Sequence, residues 1–335
     1  MSSLLERLGV ELPVVQAGMG GGISRHELAA AVSDAGGLGT IAVNGAEAIR
    51  RELTAARALT GRPLAVNVLL PFARRDWFEA AAGADVVVTF WGRPRRRTGG
   101  VWLHQCGSVV EAQRAQAAGA DGVIVQGVEA GGHVRGTTPG LQLLEQARRA
   151  LPPDYPVLLA GGIAEQGDVR GALAAGATAA VAGTRFLLSE ESRAHALYKE
   201  RLLGAGETIL TDLFGAGWPA PHRVVPNVAT EHFLGRRSSF PGDMTVKGRT
   251  PLQRGPRLNR LLNHLLAPGA RYAPSGLQLR MLRAQRSESR LLSPAGPTDD
   301  APATLVDAGA LYAGETVARI DQIHPAAQLV RDLAP

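Results

Sequence analysis

Residues 119–133 read GADGVIVQGVEAGGH, and residues 158–192 read LLAGGIAEQGDVRGALAAGATAAVAGTRFLLSEES. In the first stretch Gly122 to Gln126 is a short apolar run that stops at a glycine loop ending in His133. In the second, a run from Pro156 to Ala160 leads through Gly161-Gly162 into an Ala-rich stretch, Gln166 to Ala175. The small-residue stop Gly176-Ala177-Thr178 then opens another apolar run to Ala182. Apolar runs without polar alternation are strands buried on both faces, and strand, helix and strand joined by short stops predict a parallel sheet.

The same rhythm extends outward. Further strands are expected at Pro13 to Ala17, Leu38 to Val43, Leu64 to Val68, Asp85 to Phe90, and Val101 to Gln105. With Gly122 to Gln126, Pro156 to Ala160 and Thr178 to Ala182 they make eight, the number that closes a (β/α)8 TIM barrel. Between them, Ser24 is placed to cap a helix running to Asp34, with Glu27 completing a capping box and Gly36-Gly37 ending it; Ser108 to Ala118 repeats the design.

After Ser189 the rhythm breaks. Residues 1–214 are therefore expected to form the barrel, 215–303 a partly helical insertion near its mouth, with helices at Leu258 to Leu266 and Leu277 to Leu282, and 304–335 a C-terminal segment packing back on the barrel.

The chain has 335 residues, 45% hydrophobic and 20% charged, the balance of a globular protein with a large core. No apolar run approaches the roughly 20 residues that span a bilayer, and MSSLLERLGVELP lacks the pattern of a secretory signal, so a cytoplasmic location is expected. One cysteine, Cys106, excludes an intramolecular disulfide and a multi-cysteine metal site, and with no HExxH or similar spacing no metal is expected. The net charge of +6 gathers at Arg93, Arg95, Arg96 and Arg97 and between Arg223 and Arg290. With few aromatics to stack on bases, these read as solvated faces, and nucleic acid is disfavoured as a partner.

A barrel of this kind builds its site from the loops at the carboxyl ends of its strands. Here those loops carry Gly18-Met19-Gly20-Gly21-Gly22 after the first strand, Asn67 near the end of the third, Gly127 to His133 after the sixth, Gly161-Gly162 after the seventh and Gly183-Thr184 after the eighth. Glycine lets backbone N–H groups approach a ligand, and the loops after strands seven and eight are where this fold commonly seats a phosphate. No GxGxxG follows the first strand, which disfavours a Rossmann dinucleotide site. His133, at the end of a glycine loop, is the candidate proton-transfer group, since an imidazole titrating near about 6.5 suits that task. His104 is the competitor, but its place inside a strand favours a packed role, and nothing near Cys106 marks a base for it.

These segments, with VVQAGMGGGIS from Val14, AVSDAGGLGTI from Ala31, PLAVNVLL from Pro63 and LYAGETVARI from Leu311, resemble the nitronate monooxygenase (2-nitropropane dioxygenase-like) family over most of residues 10–200 and the tail. The resemblance implies non-covalent FMN contacted by Gly18, Met19, Asn67, Gln126, Gly131, Gly162 and the loop Val181, Ala182, Gly183, Thr184. It also implies that His133 removes a proton from neutral nitroalkanes. The implied reaction oxidises an alkyl nitronate with O2 to a carbonyl compound and nitrite. Two departures stand out: Gln105 where many relatives carry Lys, and Phe90-Trp91-Gly92-Arg93-Pro94 where a small-residue loop is expected. The alternatives are an FMN-dependent enoyl-[acyl-carrier-protein] reductase or an NAD(P)H:quinone reductase, and, outside enzymes, a flavin-binding scaffold.

Overall fold

The computed structural model describes residues 4–235, 251–269, 272, 280 and 282–335. Eight parallel strands form the barrel: β1 (Val14–Gln16), β2 (Gly39–Ile41), β3 (Leu64–Leu69), β4 (Val86–Phe90), β5 (Val101–Cys106), β6 (Gly122–Gln126), β8 (Val157–Ala160) and β9 (Ala180–Ala182). Their order is β1-β9-β8-β6-β5-β4-β3-β2. The ring closes where Val15 bridges Leu38, with Gln16 N donating to Leu38 O and Leu38 N to Val14 O, both at 3.0 Å. All eight strands lie where the apolar runs predict.

Side-chain parity divides each strand between two environments. Val15, Ala65, Val86, Val88, Leu103, Ile124, Leu158 and Val181 pack together inside the barrel. Val14, Trp102, Val123, Val125, Val157, Leu159 and Ala180 face the surrounding helices, which is why the runs are apolar throughout. Helix α1 (Leu4–Leu8) packs Leu4 into the interior cluster. Around the outside run α2 (His26–Asp34), α3 (Ala46–Leu59), α4 (Arg75–Ala81), α5 (Val109–Ala117), α6 (Gly140–Ala150) and α7 (Gln166–Ala174). The C-terminal helix Ala326–Leu333 packs against α2 and α7, burying Ala326, Leu329, Val330 and Leu333 in the same layer.

Local capping agrees with the sequence at α5, where the Ser108 side chain accepts from Glu111 N. It differs at α2. The cap position there is Arg25 without a side-chain bond, because Ser24 Oγ instead accepts from Met19 N at 3.0 Å and ties the loop after β1 onto itself.

Beyond the barrel, a second sheet forms in the order β12-β10-β11-β7, from β7 (Gly132–His133), β10 (Ile209–Thr211), β11 (His222–Val224) and β12 (Leu252–Gln253). Strands of two or three residues carry no readable periodicity, so the sequence showed only helices here. The expected helix from Leu258 is present as Arg257–Leu266, and most of the one expected over Leu277 to Leu282 lies outside the described residues. Among the described residues no helix is long and apolar enough to cross a membrane.

Candidate active site at the barrel mouth

The glycine loops belong to neighbouring strands. Gly18 follows β1, Gly183 follows β9, Gly161 and Gly162 follow β8, and Gln126 ends β6, four consecutive members of the ring. Asn67 on β3 joins them: a Cβ on Gly18 would lie 2.5 Å from Asn67 Cβ, so only glycine permits that approach. Gly161 and Gly162 take φ values of +101° and +76°, conformations that a side chain would strain. Ala17, Gly18, Asn67, Gln105, Gly161, Gly162 and Gly183, at the carboxyl ends of the strands, are all half-buried, whereas the barrel interior around Val15, Leu103 and Ile124 is fully buried.

Not every predicted residue turns its side chain to this floor. Met19 packs between two apolar clusters, and Ala182 faces the helices while its carbonyl accepts from Ala17 N at 2.9 Å. Gly131 meets the C-terminal segment, where an added Cβ would sit 2.5 Å from Gly314 N. Thr184 Oγ1 accepts from that same Gly314 N at 2.9 Å. The segment Leu311 to Glu315 thus threads between the loops after β6 and β9.

His133 lies on β7, at the end of the glycine loop that follows β6, and is paired in register with His222. Its ring stacks on Trp218, centroids 3.6 Å apart and planes 15° apart, with His222 at 5.3 Å and Tyr312 at 5.5 Å. Its Nε2 is buried and has no hydrogen-bond partner in the protein. Burial, with His222 beside it, holds the His133 pKa well below the ordinary histidine value, so the imidazole is neutral. Gln126 fixes the loop on both sides of this ring: Nε2 donates to His133 O at 3.0 Å and Oε1 accepts from Arg135 N at 3.1 Å.

The supporting residues are ones that sequence reasoning missed. His222 donates from Nδ1 to Ala220 O at 2.9 Å and accepts at Nε2 from Phe214 N at 3.2 Å, pinning the Gly-Pro-rich loop that carries Trp218; burial lowers its pKa to about 4. Arg223, read from sequence as part of a solvated face, is instead 1% exposed. It donates to Val128 O at 2.8 Å and pairs with Glu315 at 2.8 Å, because it ties β11 to the loop after β6 and to the C-terminal segment. Glu129 accepts from Gly140 N at 2.8 Å, and burial pushes its pKa up. The signals available were the rarity of tryptophan, four in the chain, and Tyr312 within LYAGET; the loop pairing left none.

The rival groups are accounted for by packing. On β5, Leu103 points inward, so His104 and Trp102 point out. Thr89 Oγ1 lies 2.7 Å from His104 Nδ1 and accepts from Trp102 Nε1 at 2.7 Å, and burial lowers the His104 pKa to about 4. Cys106 is buried on the same outer face, and burial raises its thiol pKa. Among the described residues, one trio of metal-type ligands comes together, His26, Glu27 and Glu52. Glu52 is already matched by His26 at 2.6 Å and Arg51 at 3.0 Å, and Glu27 lies 3.6 Å from Arg193.

Comparison with known proteins fits this geometry. FabK from Thermotoga maritima superimposes with a TM-score of 0.71 at 25% identity, over 99% of this chain and 95% of that one. The nitroalkane oxidase of Streptomyces ansochromogenes superimposes with a TM-score of 0.70 at 29% identity, over 99% and 96%. A nitronate monooxygenase of Pseudomonas aeruginosa is 36% identical over 267 residues, 61% of this chain and 74% of that one. The protein is a TIM-barrel oxidoreductase. The nitronate monooxygenase model matches residues 1–88 and 93–335, and the chain belongs to that family.

Proposed function

We propose that the barrel mouth binds FMN and oxidises alkyl nitronates with O2 to a carbonyl compound and nitrite, with His133 as the base that extends the activity to neutral nitroalkanes. The observation that carries this reading is His133, a neutral imidazole with an unpartnered, buried Nε2 on the glycine loop that Gln126 ties to the end of β6, one of the half-buried, glycine-lined strand ends. The residues fit the cofactor: Gly18 lies where any Cβ would collide with Asn67, and Gly162 and Gly183 present no side chain at the two loops suited to a phosphate. Gly18, Met19, Asn67, Gln126, Gly131, Gly162 and the loop Val181 to Thr184 would hold it, Met19 and Ala182 through backbone alone. FMN, when bound, supplies the two-electron oxidation and passes the electrons to O2.

The chain's own contribution is position and proton transfer. His133, unprotonated at neutral pH, accepts the proton from the carbon bearing the nitro group, and Gln126 holds the backbone on either side of that imidazole. The aromatic wall of Trp218, Tyr312 and Trp91 excludes water from the face where the anion forms. The described part of residues 215–303 supplies Trp218 and β11, which cover the mouth in this reading. Substrates that arrive as nitronates need no base. His133→Ala is therefore expected to slow turnover of neutral nitroethane by about 100-fold or more while leaving propyl-2-nitronate within a few-fold. Equal losses on both substrates would remove His133 as the base, and flavin bleaching by NADPH but not by nitronate would replace the reaction with an NAD(P)H-dependent reduction.

A further inference from the structure

Beside the mouth, outside the glycine ring, lies a cavity of about 430 Å3, bounded by the loops after β3 and β4. Leu70, Phe78 and Trp91 supply its apolar wall, and among the described residues Arg93, Arg97 and Arg135 supply the charged groups lining it. Two of the three cations are seated on rings of that wall, Arg97 at 5.1 Å from the Phe78 centroid and Arg135 at 4.8 Å from Trp91. Arg93 and Arg97 form no ion pair with a carboxylate among the described residues, whereas Arg135 is joined to Glu111. A hollow of this size, with three guanidiniums and no acidic lining among the described residues, suits a polyanion better than a cation or a neutral tail.

The cavity is coupled to the reaction site in two ways. Trp91, the one described non-glycine residue with positive φ, at 57°, stands between them: it lines the cavity and meets Trp218, the ring stacked on His133, at 5.5 Å. The Gln126 side chain binds His133 O and Arg135 N together, so one brace sets both the candidate base and a cation of the cavity.

We propose that this cavity is a second anion subsite, distinct from the flavin cradle, which seats a phosphate or pyrophosphate group carried by a substrate whose reacting end lies beside His133. The proposal rests on the reading of the barrel mouth as the reaction site, and it names the substrate class as phosphorylated. Arg93 and Arg97 supply unneutralised charge, Arg135 supplies a positioned fork, and Trp91 forms the wall past which the tail runs.

The test is titration of the full-length chain, as purified, with inorganic pyrophosphate, followed by tryptophan fluorescence, with phosphate and acetate as parallel probes. Saturable quenching by pyrophosphate, weaker with phosphate and absent with acetate, is expected. The double variant Arg93→Gln with Arg97→Gln should weaken it about tenfold or more, while Arg95→Gln, outside the cavity, should change it less than about twofold. FMN content should be the same in all three proteins, which separates this subsite from the cradle. No saturable binding, equal binding in the double variant, or release of FMN by pyrophosphate would overturn the proposal. Arginine-dependent binding in a protein that fails to oxidise nitronates would refute the nitronate reading and leave the subsite standing.

Discussion

Acidification should destabilise this protein well above the range where carboxylates titrate, and two buried histidines set the size of the effect. His104 and His222 are 2% and 0% exposed, and each is held at about 4 in the folded chain. In the unfolded chain each titrates near about 6.5. Because the folded value is the lower one, the unfolded state binds more protons between the two values. The stability these residues support is complete above about pH 6.5 and is lost as pH falls toward about 4. Going from about pH 7 to about pH 5.5 costs about 1 kcal/mol for each, or about 2 kcal/mol together, and His133 adds in the same direction. Glu52 and Asp300, whose values are lowered, act only below this window, and Glu129, whose value is raised, opposes the trend in part. The thermal unfolding midpoint should therefore fall by about 3 °C over that interval. His104→Gln isolates one residue: whatever its effect at neutral pH, the dependence of unfolding free energy on pH should flatten by one proton's worth. A melting temperature that is level from about pH 7 to about pH 5.5, or an unchanged slope in the variant, would refute the reasoning.

Two further substitutions probe other parts of the structure. Gly39→Ala would place a Cβ 1.9 Å from Ala29 O, forcing α2 off β2, and should cost more than about 3 kcal/mol or yield no folded protein in urea titration, whereas Gly61→Ala, with open space around it, should stay within about 0.5 kcal/mol. Trp218→Ala removes the ring stacked on His133; solvent then reaches the imidazole, and the acid limb of the kcat/KM profile on neutral nitroalkane should move to higher pH.

The barrel was legible in the sequence because both faces of each strand are buried, one against the interior around Leu103 and Ile124 and the other against the helices around Trp102 and Val123. That demand writes itself as continuous apolar runs between small-residue stops. The positions of the glycine loops followed from strand order alone. The aromatic wall over the mouth did not, since Trp218 reaches His133 only through β7 and β11, strands of two and three residues whose pairing no periodicity records. Arg223 misled for a related reason: a charged residue in a Pro-rich, Arg-rich stretch looks solvated, and only the fold reveals the carbonyl of Val128 and the carboxylate of Glu315 waiting for it. Spacing predicts Ser24 at a helix cap, but its hydroxyl serves the glycine loop after β1.

Uptake of FMN by the flavin-free chain tests the account most directly. Titration followed by visible absorbance and flavin fluorescence should saturate at about one FMN per chain. Gly18→Ala, which drives a Cβ to 2.5 Å from Asn67 Cβ, should lose that uptake, while Gly167→Ala, on the open face of α7, should keep it. A chain that stays colourless with excess FMN, or one in which Gly18→Ala binds as tightly as the parent, would contradict a flavin seated on these strand ends.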